Sequence, residues 1–182
     1  IERELASDPD FDSRFALLLQ AGEQLEAQKQ PAEAAKRFAA ALELRPAHPV
    51  ARAGLVRSYL TAGNLDALDQ LTRIELKEAT DVQTRVAAYE RQALIATLRG
   101  GNPVERSEAI MNAYRSILNV DANNHSAMRA LERHYIAHEN WGDLTHLYEQ
   151  MGLVASDTAF SVHIHLDRAR LRQKLAWQDK VD

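Results

Sequence analysis

Apolar residues in this chain recur at a spacing of 34. Ala21, Leu25 and Ala34 are answered by Leu55, Tyr59 and Leu68, and Ile110, Tyr114 and Ile117 by Leu144, Tyr148 and Met151, each 34 positions on. A fixed period of this size is the mark of a helical solenoid, in which each unit is a helix pair too small to bury its own apolar face. The interval from Phe38 to Tyr114 is 76 residues, eight more than two periods. The surplus is expected between the second and third units, as lengthened helices around 65–99. A stack of helix pairs presents a curved surface, so the expected role is to hold another molecule.

Local signals divide the chain into nine helices: 11–29, 31–44, 49–62, 65–78, 81–99, 103–119, 125–138, 141–151 and 157–177. Asn64, Asn102 and Asn140 each precede a helical pattern and can accept from first-turn N–H groups. Gly63 and the Gly100–Gly101 pair stand where a left-handed residue would close a helix. Pro31, Pro49 and Pro103 fit first helical positions, where a missing N–H costs nothing, and Pro46 stops the helix before it. Short turns force antiparallel pairs. The fold class is all-α, a right-handed α-solenoid with its longest helices in the third pair.

The first unit resembles the tetratricopeptide repeat. Leu18-x2-Ala21-Gly22-x2-Leu25, followed by Ala34-x3-Phe38-x2-Ala41 and Pro46, stands at that family's spacing. Gly22 and Ala34 are small where paired helices cross, and Phe38 fills the gap between neighbouring pairs. The second unit keeps Leu55 and Tyr59 but has Thr72 where an aromatic is expected, while the fourth carries Met128, Leu131, Tyr135, Leu144 and Tyr148. The resemblance implies one array with repeats at 15–48, 49–80, 81–124 (lengthened) and 125–156, and a terminal helix over 157–182 that caps the array or begins a fifth repeat. Phe160, Ile164, Leu171 and Leu175 form its apolar stripe, with Val162, Leu166 and Trp177 on the other side. Phe38, Tyr114 and Tyr148 are expected to be buried between consecutive pairs.

The composition, 46% hydrophobic and 26% charged, is that of an ordinary folded domain. Net charge is −4 with basic residues scattered, which argues against a nucleic-acid surface and against the RNA-reading pentatricopeptide relatives. No apolar run reaches the length of a membrane span. The absence of cysteine removes disulfide and thiolate chemistry. A chain opening on Ile-Glu-Arg without a signal pattern reads as a piece of a longer protein, cytoplasmic, or periplasmic if the parent carries a leader.

Catalytic motifs are missing. No Gly-x-Ser-x-Gly elbow occurs, and Arg99-Gly-Gly-Asn-Pro103 lacks the Lys-Ser/Thr and the preceding strand of a phosphate loop. His134 and His138 stand i, i+4, a metal-compatible spacing, with His146 on the next helix as the candidate third ligand. The run lacks the His-Glu-x-x-His of zinc proteases, and packing beside Tyr135 is the better reading. No metal, cofactor or catalytic residue is expected, and the chain is read as non-enzymatic.

In the family the first helix of each pair lines a concave groove. Carried over, that face has Ala16, Leu19, Gln20, Glu23, Glu26 and Ala27 in the first unit. It has Val50, Ala53, Gly54, Arg57, Leu60 and Thr61 in the second, and Ser126, Arg129, Ala130, Arg133, Ile136 and Ala137 in the fourth. The third unit holds the insertion and cannot be phased. Leu19, Gln20, Glu23, Arg57, Leu60, Arg129, Arg133 and Ile136 are the expected partner-binding residues. Leu19 and Glu23 occupy the positions where chaperone-tail binders clamp a terminal carboxylate, so that clamp is not implied. Arg57, Arg129 and Arg133 point to an acidic protein segment as the partner, since guanidinium groups suit carboxylates. A spacer within a longer repeat protein and a regulatory domain of an attached enzyme are the alternatives.

Overall fold

A computed structural model describes residues 10–154 and 158–178, without the side chains of 154, 158–161, 163, 174, 175, 177 and 178. The described residues form nine α-helices and no strand: α1 (Phe11–Ala27), α2 (Pro31–Leu44), α3 (Pro49–Ala62), α4 (Leu65–Glu78), α5 (Val82–Arg99), α6 (Pro103–Val120), α7 (His125–Ala137), α8 (Trp141–Val154) and α9 (Thr158–Gln178). They fall into two compact units, 1–71 and 72–182, with the division inside α4.

Capping chemistry sets the helix starts. Asn64, Asn102 and Asn140 each accept a backbone N–H of the first turn, from Ala67, Val104 and Asp143. Asp10, Asp81 and Asn124 do the same for Ser13, Thr84 and Ala127. Hydrogen bonding to Ser13 and Thr84 holds the Asp10 and Asp81 carboxyls below the usual carboxylate range. Gly63 closes α3 in the left-handed conformation at φ 69°. Asn124 caps α7 at 3.0 Å from the N–H of Ala127, whose side chain is fully buried. Replacing Asn124 by Ala should cost about 0.5–2 kcal/mol, measured as a lower denaturation midpoint.

The eight surplus residues are divided between two helices. α3 and α4 have 14 residues each, whereas α5 and α6 have 18 each, four extra in both. The expected location around 65–99 is therefore half right, because α4 is not lengthened and α6 is. α5 and α6 are the longest paired helices, but α9, at 21 residues, is longer than either.

In the first unit α2 packs against both α1 and α3. Phe38 of α2 is fully buried between two glycines. A Cβ built on Gly22 of α1 would meet its ring at 2.7 Å, and one built on Gly54 of α3 at 2.6 Å. The ring thus fills space that only glycine leaves open, and it ties one pair to the next. Gly54, expected in the groove, faces this ring instead. Arg45 stacks over Phe15 at 4.4 Å and pairs with Asp12.

In the second unit the main core joins Met128, Leu131 and Tyr135 of α7 to Leu144, Leu147, Tyr148 and Met151 of α8 and to Ile164 and Leu171 of α9. Half of the expected α9 stripe is thus buried. Phe160 and Leu175, and Trp177 opposite, lie outside the described side chains. Val162 and Leu166 are about half exposed. Tyr148 is buried as expected, and its hydroxyl donates to Glu132 at 2.7 Å. Burial and that carboxylate push the hydroxyl's pKa well above the normal tyrosine value.

Tyr114 departs from expectation. It is half-buried, while Ala113 and Ile117, one turn apart, take the covered stripe of α6. That phase leaves Tyr114 at the margin, touching both core clusters of the unit. Thr72 is fully buried at the position where an aromatic was expected. Nearby, Glu75 is buried and ion-paired with Arg91 of α5.

Candidate functional site

Two helices of the first unit carry the expected contact face. Gln20 and Glu23 of α1 are exposed, and Leu60 of α3 is half-buried. Leu19 is half-buried because it packs against both core clusters of the unit. Arg57 is exposed but not electrostatically idle, since its guanidinium donates to Glu26 at 2.8 Å. Glu26 also accepts from the buried Ser58 hydroxyl at 3.2 Å. Two hydrogen bonds from α3 fix this α1 carboxylate, so the charge of Arg57 is largely compensated on the spot.

In the second unit, α7 presents Arg129, Arg133 and Ile136, all exposed. Met128, Leu131 and Tyr135 anchor the opposite stripe of the helix in the core. Arg133 Nε donates to the carbonyl of Arg129 on its own helix at 3.3 Å. Among the described residues neither arginine has an ion-pair partner, so this face carries two uncompensated positive charges four residues apart. The eight expected residues divide five to the first unit and three to the second.

Helix α5 of the second unit carries a further feature. Val86, Ala88, Ala93 and Ile95 of α5 are buried, which turns Leu94 and Leu98 outward as an i, i+4 apolar pair. Sequence reasoning missed it because the insertion removed the register. The alternation of small and branched residues along 86–95 was the signal available.

Between α6 and the C-terminal end of α7 with the turn that follows it lies a cleft of about 460 Å³, lined by Pro103, Val104, Met111, Ser107, Glu108, Arg115, His134, His138 and Asn140. Ser107 Oγ and His134 Nε2 are 2.7 Å apart. The His134 and His138 rings stack with centroids at 4.1 Å. Burial, then the charges of His138 and Arg115, lower the pKa of His134. Arg115 donates to the Tyr135 hydroxyl at 3.0 Å and to Asp143 at 2.8 Å, fixing α6 to α7 and α8. His146 instead pairs with Gln150 on α8. Among the described residues no three His, Asp or Glu side chains are grouped to hold a metal.

Residues 25–89 match the family model described as the tetratricopeptide repeat. A solved tetratricopeptide repeat protein from Parabacteroides merdae is similar over 89% of this chain, with 16% identity and a TM-score of 0.54. The chain spans 61% of that protein's length. A thermophilic repeat protein of the same kind from Thermus thermophilus, again 16% identical, covers 91% of this chain and 89% of its own, at a TM-score of 0.46. No curated protein sequence matches the chain. None of the described helices is long and apolar enough to cross a membrane.

Proposed function

We propose, from the premise that this chain carries a tetratricopeptide repeat domain, that it is a non-catalytic scaffold capturing a protein segment on the exposed faces of its first-of-pair helices. The fold generally mediates protein–protein interaction and is generally non-catalytic. The finer reading takes 15–48, 49–80, 81–124 and 125–156 as repeats of one array, and an acidic segment as the partner. The observation that carries it is the pair Arg129 and Arg133 on α7, exposed and without ion-pair partners among the described residues, in a chain of net charge −4. Such a local positive field steers acidic segments and repels basic ones.

Because Arg57 is already paired with Glu26, the acidic preference rests on α7. Gln20, Glu23, Leu19, Leu60 and Ile136 then supply amide, carboxylate and apolar contacts rather than charge attraction. Arg129→Glu with Arg133→Glu should weaken capture of an acidic peptide at least tenfold, with the thermal midpoint changed little because both side chains are exposed. The weakening should shrink as salt rises, since exposed charges are screened within about 10 Å at 0.1 M. Isothermal titration at two salt concentrations measures both effects. Equal binding by the double variant would remove α7 from the site.

A further inference from the structure

We propose that Ser107, His134 and His138 form an acid-sensitive latch between α6 and α7: the seam is closed while the His134 imidazole is neutral and loosens when that ring takes up a proton. The geometry carries this. His138 Nδ1 lies 2.9 Å from the carbonyl of His134, an acceptor, so this nitrogen holds the proton of the neutral ring. The same ring stacks on His134 at 4.1 Å with planes 23° apart. Two imidazolium ions in that stack would repel at close range. His134, half-buried, bridges the helices through its 2.7 Å contact with Ser107 of α6.

The surrounding charges offer an imidazolium little relief. From α6, the guanidinium of Arg115 adds a third positive group beside His134. From α8, Asp143 is already shared by Arg115 and the Asn140 amide. Glu108 of α6 lines the same cleft without an ion pair or hydrogen bond to either ring. Glu139, next to His138, is exposed at the turn.

His134 binds its proton less readily in the closed seam than in an open one, so the closed state is favoured above the ordinary histidine range and loses ground as pH falls through it. Each proton taken up only on opening shifts the open–closed balance by up to about tenfold per pH unit. The device is local, since α1, α2 and α3 contain no such pair.

Amide hydrogen exchange on the full chain tests this, with intrinsic rates corrected between pH 7.5 and 5.5. Protection of 104–111 and 131–138 should fall about tenfold more than protection of α1–α3. His134→Gln should abolish the excess and His138→Gln should reduce it. Should His134→Gln not fold, the wild-type profile and His138→Gln still decide. A wild-type seam that loses no more protection than α1–α3 overturns the latch. So does an excess that persists undiminished in His138→Gln.

Discussion

Truncating Phe38 to Ala is expected to destabilise the first unit by about 3–5 kcal/mol, the range for a buried aromatic whose site cannot collapse. The site is held open from both sides. The ring fits against the backbones of Gly22 and Gly54, which have no side chains that could relax into the void. The buried residues clustered with it, Ala34, Ala35 and Leu55, sit on packed helices. With a urea slope of roughly 2 kcal/mol per molar, the midpoint should fall by about 1.5–2.5 M. Because the ring joins α2 to α3 as well as to α1, helicity should be lost from both pairs together. A midpoint within about 0.3 M of wild type would mean that Phe38 does not occupy this seam.

Gly54→Ala should also destabilise, although alanine is intrinsically the better helix former by about 1 kcal/mol. The added methyl would stand 2.6 Å from the Phe38 ring, closer than any real contact allows. The ring is fully buried and the same ring atoms also lie against Gly22, so it has no free space to step into. Overpacking of this kind costs about 1–3 kcal/mol, which outweighs the propensity gain. The two effects separate in a double-mutant cycle. In a Phe38→Leu background the smaller side chain makes room, and Gly54→Ala should become neutral or stabilising. If Gly54→Ala stabilises the wild-type protein, the close approach of α3 to Phe38 is wrong.

Periodicity and caps made the helices legible. Apolar spacing, three capping asparagines and three first-position prolines place every helix start within one residue of the structure. The limits arose where one residue serves two constraints. Leu19 and Gly54 sit at groove positions by spacing, yet they are spent on packing, because a short helix pair must bury side chains on both neighbours. Tyr114 holds the repeat position of Phe38, but the four extra residues of α6 come with a different buried stripe. Arg57 looked like a free cation, and only the fold brings Glu26, 31 residues away, to 2.8 Å from it. Long-range pairs such as Ser107 with His134, or Arg115 with Asp143, leave no periodic trace in a sequence.

Selection of peptides from a random display library on the wild-type protein, followed by titration of the winners against Arg129→Glu with Arg133→Glu, tests the binding-surface reading most directly. The expected result is sequences enriched in Asp and Glu, amide shifts concentrated in 125–137, and affinity at least tenfold lower for the double variant at low salt, with the gap narrowing as salt rises. Peptides without acidic enrichment, or winners that bind the double variant as tightly as the wild type, would contradict it.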